Sequence, residues 1–482
     1  MKIRDALLNG PLGFGAAPLG NMFRNIPDAE ATATVDTAWD EGTRYFDTAP
    51  FYGAGLSEIR LGKELSKHKR SEYILSTKVG RLILDEVDAS SARDFGEKGD
   101  IFKHGRPNKM VYDYTADGAK KSIEDSLRRM NVDHIDFVWV HDLAQDFHGD
   151  GWLGMFDTAR KGAFVALSEL RDQGVIKAWG LGVNKVQPVE ILLDLSEVKP
   201  DATLLAGRYT LLDHDLALQR LMPAAEAKGV DIIIGGPYSS GVLVGGTHFE
   251  YGPVPKDIAT KVEKITALCD KHTVPIKAAA LQFSLAHPAA AAIIPGGSRP
   301  ERIKEDHVAL EAKIPAAFWH DLRSQRLVAP NAPLPIDTKQ GGALMAKASS
   351  SVELAVPADR VWQLIGGFGS LPDWLPYIPK SELHEGGRTR HLANPDGSTI
   401  VERLMAFDEK ERSYTYHILR APFPVTDYYS TLKVIAINHG KGSRVEWSGE
   451  FTAKGVSDQE ASKLFQGIYD DGLEALTRNF TK

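Results

Sequence analysis

Eight short apolar runs, each followed by a helical pattern, fill roughly the first 330 residues, and that alternation constrains the chain more than any other feature. The runs are Leu12–Ala16, Arg44–Phe46, Tyr73–Lys78, Ile135–Val140, Ala178–Val183, Thr203–Ala206, Asp231–Gly235 and Ala291–Ile294. The first helix starts at Pro27-Asp28, carries the apolar stripe Ala31, Val35, Ala38 and Trp39, and stops at Gly42. Further helices are predicted over Ser57–Lys67, Asp117–Met130, Phe164–Gln173, Asp215–Lys228, Lys256–His272 and Pro300–Leu310, with Ala278–His287 as an additional one. Strand, crossover helix, strand, repeated eight times, predicts an α/β fold of the (β/α)8 barrel kind. An open doubly wound sheet would need a glycine fingerprint after its first strand, and Gly13-Phe14-Gly15-Ala16-Ala17-Pro18 lacks that spacing.

The barrel does not use the whole chain. At 482 residues the protein is too long for one core. Beyond Leu327 the pattern changes: Val328 to Pro335 reads as an extended closing segment, and Lys339-Gln340-Gly341-Gly342-Ala343 as a flexible linker. A strand from Ser350, a short helix over Asp359–Phe368, six more strands between Ser381 and Thr452, and a closing helix with Leu464, Ile468, Leu473 and Leu476 follow. That order predicts an antiparallel sheet curled around a terminal helix. The expected boundaries are a barrel over 1–335, a linker over 336–347 and an α+β domain over 348–482.

Two insertions, Gly80–Tyr112 and Asp142–Gly162, follow barrel strands and are expected to wall or cover the mouth. A net charge of −7 without a basic stripe argues against nucleic acid. The single cysteine, Cys269, excludes an internal disulfide framework. No signal peptide and no membrane-length apolar run is present, so the expected setting is the cytoplasm and the expected partner a small molecule. No metal-ligand pattern stands out.

The chemistry lies at the strand ends. Asp47 closes the second run, with Tyr52 on the turn after it; Lys78 closes the third and His141 the fourth. Four polar groups at the ends of three successive strands suit proton transfer coupled to hydride transfer. A phenol has an ordinary pKa of about 10, and an ammonium beside it favours its ionised form. A carboxylate can fix the ammonium, and an imidazole can orient the substrate oxygen.

The run Phe46-Asp47-Thr48-Ala49-Pro50-Phe51-Tyr52-Gly53 resembles the aldo-keto reductase family, whose Asp, Tyr, Lys and His tetrad corresponds to Asp47, Tyr52, Lys78 and His141. Gly53-Ala54-Gly55-Leu56-Ser57-Glu58, Ala206-Gly207-Arg208-Tyr209-Thr210-Leu211-Leu212 and Gly235-Gly236-Pro237-Tyr238-Ser239-Ser240-Gly241 are similar to its sugar-oxidising branch, with D-threo-aldose 1-dehydrogenase-like and pyridoxal 4-dehydrogenase-like members. The resemblance implies NADP or NAD as cofactor. It assigns Asn184 to the nicotinamide carboxamide, Tyr209 to stacking on the ring, and Ser240, Gly241 and Leu243 to the pyrophosphate. The segment from Gly296 to Asp306 corresponds to the adenosine-phosphate site, with Gly297, Ser298, Arg299, Arg302 at the 2′-phosphate position, and Glu305 and Asp306 near adenine. Gly296 stands where many NADP-dependent members carry lysine.

The second domain resembles the helix-grip superfamily of polyketide cyclases and START lipid-transfer domains through Val361–Phe368, Trp374-Leu375-Pro376 and Glu446-Trp447-Ser448-Gly449. Arg388, His391, Glu402, Arg403, Tyr414, His417 and Trp447 are candidates for its interior. The implied activity is interconversion of an alcohol or hemiacetal with a carbonyl or lactone, the second domain binding or further converting the product. A carbonyl reductase–cyclase fusion and a nicotinamide-binding sensor without turnover are the alternatives.

Overall fold

The computed structural model describes residues 2–87, 101–250, 252–336, 346–393 and 397–480. Residues 88–100 of the first long insertion and most of the expected linker, 337–345, lie outside them. The chain divides into two compact units, Met1–Thr338 and Lys339–Lys482.

In the first unit the strands are β1 (Phe14–Gly15), β2 (Tyr45–Asp47), β3 (Ile74–Val79), β4 (Arg81–Val87), β5 (Asn108–Tyr112), β6 (Phe137–His141), β7 (Ala178–Val183), β8 (Ala202–Ala206), β9 (Asp231–Gly235), β10 (His248–Phe249), β11 (Gly252–Pro253) and β12 (Ala290–Ile294). Eight of them form one sheet in the order β1-β2-β3-β6-β7-β8-β9-β12, every pair parallel. Parallel bridges Leu12 to Ile293 and Gly15 to Gly296 bring β12 back to β1, so the sheet closes into the predicted barrel. One apolar cluster fills the barrel itself, with Tyr45, Ile74, Phe137, Trp139, Ile233 and Ile294; a larger one lies between strands and helices. A short N-terminal helix, Ile3–Ala6, buries Ile3 in the inner cluster, and Arg4 pairs with Asp231 at 2.8 Å.

The helix expected over Asp215–Lys228 is broken at Arg220 into Asp215–Gln219 and Leu221–Lys228. Pro223 explains the break, because it has no N–H for the Gln219 carbonyl and its ring crowds that group. The pattern reading missed the helices Gln187–Asp194, Trp152–Lys161 and Ala316–Ser324. It also treated Gly80–Tyr112 as loop, whereas β4 and β5 form an antiparallel hairpin there.

His214 ties the closing segment to this unit. Its Nε2 accepts the Ala329 N–H at 2.9 Å, and its Nδ1–H donates to the Thr210 carbonyl at 2.8 Å. Burial pushes its imidazole down to about 4, and that of His287 also to about 4. Between about pH 6.5 and 4 the unfolded chain binds protons on these rings that the native chain does not. Their contribution is therefore complete above about 6.5 and falls with pH by about 1.4 kcal/mol per unit for each ring. Denaturant midpoints measured across that window are expected to drop steeply; a flat response would contradict the neutral, buried assignment.

The second unit is a seven-stranded antiparallel sheet, made of β13 (Ala346–Leu354), β14 (Lys380–His384), β15 (Thr389–Ala393), β16 (Thr399–Asp408), β17 (Ser413–Arg420), β18 (Val425–Ile437) and β19 (Gly442–Ala453) in the order β13-β19-β18-β17-β16-β15-β14. The long helix Asp458–Phe480 packs on it through Phe465, Tyr469, Leu473 and Leu476; Leu464, expected in that stripe, is 39% exposed. Tyr414 and Tyr416 face this interior, while His417 stacks on Tyr429 at 4.5 Å. Arg388 and Arg403 are exposed. The buried arginine is Arg390, whose Nε donates to Glu402 Oε2 at 2.5 Å, with the guanidinium over the rings of Phe368 and Tyr416.

Candidate active site

A cavity of about 420 Å³ lies at the C-terminal ends of the barrel strands. Each of the eight strands contributes its final or penultimate residue to the lining: Gly15, Asp47, Lys78, His141, Val183, Ala206, Gly235 and Ile294. Pleating and parallel register aim these positions at one mouth.

Asp47, Tyr52, Lys78 and His141 meet at one end. Lys78 Nζ donates to Asp47 Oδ2 at 2.6 Å and to the Thr48 carbonyl at 2.8 Å, and it sits 4.6 Å from the centroid of the Tyr52 ring. The Tyr52 and His141 rings are edge-on, 5.8 Å apart. Beneath them Ser76 Oγ donates to Asp47 Oδ1 at 2.6 Å, and the Tyr45 hydroxyl reaches Ser76 at 3.1 Å. The register of β2 with β3 sets Ser76 opposite Asp47, and Thr48 follows Asp47 directly in the chain.

The turn that presents Tyr52 is fixed by two glycines. Gly53 has φ +67°, and a Cβ there would fall 2.4 Å from the Gly20 carbonyl oxygen. A Cβ on Gly20 would fall 2.5 Å from the Tyr52 carbonyl carbon. The loop after β1 and the Tyr52 turn therefore touch backbone to backbone, which only glycine permits.

Electrostatically the site departs from expectation at Tyr52. Burial raises its phenol well above the ordinary value, the carboxylates of Asp47 and Asp142 add to that, and Arg81 opposes it. The expected lowering by an ammonium is outweighed, because Lys78 lies over the ring face with its charge committed to Asp47. Burial, then Lys78 and Arg81, hold His141 well below the usual imidazole range, so the ring is neutral at neutral pH. Burial also raises the Asp47 carboxyl, with Lys78 opposing.

Arg81 and Asp142 form a buried ion pair beside His141 that the motif reading missed. Arg81 Nη1 donates to Asp142 Oδ2 at 2.7 Å, and both side chains are 4% exposed. Apolar groups complete this end: Phe51, Phe102, Ile101, Phe147 and Met22 line the cavity, and Phe102 is half-stacked on Tyr52 at 5.7 Å. Ile101, Phe102 and Phe147 come from the two long insertions, which thus wall the mouth.

The other end suits an anion. Ser239, Ser240 and Gly241 line it with consecutive left-handed φ angles of 51°, 59° and 98°, in a tight turn closed by the Ser239 N–H on the Gly236 carbonyl and the Gly241 N–H on the Tyr238 carbonyl, both at 3.0 Å. Ser298, Arg299 and Arg302 line the cavity at the N-terminus of the Pro300–Glu311 helix, whose positive dipole end and two guanidinium groups favour phosphate. Asn184 lines it between the two ends, its Nδ2 donating to Asp146 Oδ2 at 3.2 Å. These residues fit an extended dinucleotide.

Several expected contacts lie elsewhere. Tyr209 is fully buried, stacked on Phe283 at 5.7 Å, and does not line the cavity, so it is a core aromatic instead of a ring-stacking one. Leu243 is packed in the core, and its neighbour Val244 lines the cavity instead. A Cβ on Gly297 would fall 2.3 Å from Ile303 Cδ1, so that glycine serves packing. Glu305 pairs with Lys277 at 2.8 Å, and Asp306 accepts from Lys277 at 3.0 Å and from the Tyr238 hydroxyl at 2.6 Å. Neither carboxylate lines the cavity.

Residues 11–326 match the model of the aldo/keto reductase family, and residues 345–481 match the one described as polyketide cyclase / dehydrase and lipid transport. The chain is 37% identical over 336 residues to pyridoxal 4-dehydrogenase of Microbacterium luteolum, covering 67% of this chain and 96% of that one. It is 35% identical over 327 residues to D-threo-aldose 1-dehydrogenase of a Pseudomonas species, covering 66% and 94%. The solved structure of XoxI from Bacillus cereus is 61% identical, covering 28% of this chain and 96% of that one with a TM-score of 0.28. The chain therefore belongs to the aldo/keto reductase family, as an oxidoreductase whose barrel is followed by a polyketide cyclase-like segment.

Proposed function

We propose that the barrel oxidises the hydroxyl of a small cyclic hemiacetal or alcohol, giving a lactone or carbonyl, with NAD or NADP as acceptor. The observation that carries this is a cavity with Asp47, Tyr52, Lys78 and His141 at one end and Arg299, Arg302 and a helix N-terminus at the other. The names of the two relatives support the oxidative direction, and pyridoxal and an aldose share one form, a ring hemiacetal whose oxidation yields a lactone. A pocket with aromatic walls and the carboxylates of Asp47, Asp142 and Glu250 in its lining suits such a ring, apolar on its faces and hydroxylated at its edge.

A bound nicotinamide supplies the two-electron acceptor for the hydrogen on the carbinol carbon. His141 orients the substrate oxygen. Tyr52 takes the hydroxyl proton in oxidation and returns it in reduction. Asp47 and the Thr48 carbonyl hold the Lys78 ammonium under the Tyr52 ring, where it stabilises the phenolate that oxidation requires. Because the phenol is raised, the oxidation rate is expected to climb with pH through the alkaline range as the phenolate becomes available, and the reduction rate is not.

Pyridoxal and D-threo-aldoses, each offered with NAD and with NADP and followed by nicotinamide absorbance, test the reading; no turnover of any hemiacetal would reject it. Arg302, at the phosphate end, is expected to discriminate the nucleotides: Arg302→Ala should raise the Kd for NADP about tenfold or more and leave NAD nearly unchanged, as loss of one charge-assisted contact predicts. Equal effects would assign the arginine to structure. The second unit is proposed to receive or open the product, which its family match supports. Lactone and hydroxy-acid yields over time, compared between the protein and buffer alone, test that step.

A further inference from the structure

The Arg81–Asp142 pair is not accounted for by the four groups above, and its geometry relative to His141 is specific. β3 ends at Val79, and Gly80, with φ +106°, reverses the chain into the β4–β5 hairpin. A Cβ at Gly80 would fall 2.4 Å from the Tyr114 ring, so this reversal is available only to glycine. The reversal aims Arg81 back into the barrel mouth. There its guanidinium carbon lies 4.1 Å from the Phe51 ring centroid, 4.8 Å from Tyr112 and 5.0 Å from Phe147. Asp142 is a non-glycine residue at φ +51°, an uncommon conformation that here points its carboxylate at the arginine. Arg81 Nη1 then has two partners, Asp142 Oδ2 at 2.7 Å and His141 Nδ1 at 3.3 Å.

A guanidinium nitrogen only donates. His141 Nδ1 must therefore accept, and the ring proton must sit on Nε2. Asp142 Oδ2 lies 3.5 Å from Nε2, too far for a hydrogen bond but close enough to favour a proton on that side. Among the described residues, the other polar groups beside the ring do not reverse this. Lys78 and Arg81 are cations, Tyr52 is a protonated phenol, and the Tyr114 hydroxyl is engaged with the His141 carbonyl at 2.9 Å and with His148.

We propose that Arg81 is a positioning residue that fixes His141 as the neutral Nε2–H tautomer, so that the imidazole donates to the substrate oxygen throughout the reaction. This rests on the reading of His141 as the group facing that oxygen. An imidazole with its proton on Nδ1 would present a lone pair there and repel the oxygen it should hold. Asp142 completes the device by keeping the buried guanidinium neutralised and aimed. Removing Arg81 alone takes a cation away from a buried carboxylate, so the informative variant is Arg81→Met with Asp142→Gly, glycine being at ease at φ +51°.

Nitrogen-15 NMR of the full-length protein labelled at histidine, with His141 assigned by its loss in His141→Gln, reads the tautomer directly. The native protein should show the Nε2–H pattern, and the double variant a mixture or a predominantly Nδ1–H pattern. On whichever hemiacetal is turned over, kcat in the double variant should fall at least about tenfold with KM changed less, the signature of a lost transition-state donor. An acid limb, absent from the native profile near neutral pH, should enter the pH–rate curve as His141 becomes easier to protonate. Arg81→Lys should recover part of the native pattern. A double variant that melts like the native protein and keeps the Nε2–H pattern overturns the proposal. Unchanged kcat in His141→Gln would instead overturn the reading of His141 as the oxygen-facing group, while the spectrum still decides what Arg81 does to the ring.

Discussion

Tyr52→Phe should lower kcat by at least about a hundredfold in both directions, the usual scale for loss of a general acid or base. The substitution keeps the ring that packs on Phe102 at 5.7 Å and lies beneath Lys78 at 4.6 Å, so the site should hold its shape. It removes the hydroxyl proposed to carry the proton and nothing else. Cofactor affinity, measured by quenching of protein fluorescence, should stay within about twofold, because Asn184, Ser240 and the helix terminus at Pro300 are untouched. Full turnover by the variant would transfer the proton role to another group, with His141, whose ring lies 5.8 Å from that of Tyr52, as the first candidate. An intermediate loss together with weaker cofactor binding would show instead that the ring had moved.

The second large effect lies in the other unit. Glu402→Leu should destabilise it by about 3–5 kcal/mol, the cost of leaving a buried charge without its partner. Arg390 is 1% exposed, and its Nε donates to Glu402 while Nη1 donates to the Phe368 carbonyl at 2.8 Å. The rings around it cannot replace a carboxylate. Adding Arg390→Met to Glu402→Leu should restore most of the loss, because the pair as a whole gains little over well-packed apolar groups. Denaturant unfolding followed by tryptophan fluorescence, where Trp447 reports on this interior, separates the outcomes. If the single variant unfolds like the native protein, Arg390 has found water, and the interior is wetter than its packing indicates.

Much of the first unit could be read from the residues because its signals are local. A strand that ends in Asp47 and a tyrosine five positions later sit in one continuous segment, and Lys78 and His141 each close an apolar run. Helices such as Asp28–Asp40 and Lys256–His272 were legible for the same reason, whereas Trp152–Lys161, as long as Ala163–Asp172, was not. What escaped was set by distant partners. Arg81 looks like an ordinary charge after a glycine until the fold brings Asp142, 61 positions later, against it. Tyr209 sits in a segment like that of a cofactor-binding loop, but the side chain turns toward Phe283, a contact decided by the Ile276–Ser284 helix packing behind it. In the second unit the alternation of β15 was visible and its start was not. The turn Glu385–Gly387, with Gly386 at φ +67°, shifts the strand so that Arg390 faces inward and Arg388 outward.

Closure of the barrel between Leu12 and Ile293 also governs how the protein can be made. Chain synthesis is vectorial, and β1 gains its second neighbour only after about residue 296 has left the ribosome. Until then the nascent chain carries an open parallel edge at each end of a growing sheet, and pairings of such large sequence separation form slowly. Arg4 waits in the same way for Asp231 and for the Pro288 carbonyl, 227 and 284 positions on. The second unit begins beyond all of these contacts, so the ribosome offers the first unit an interval in which to finish before the next set of exposed strands emerges. Slowing translation across residues 297–345, by synonymous codon choice alone, should lengthen that interval and raise the yield of soluble protein without altering a single side chain.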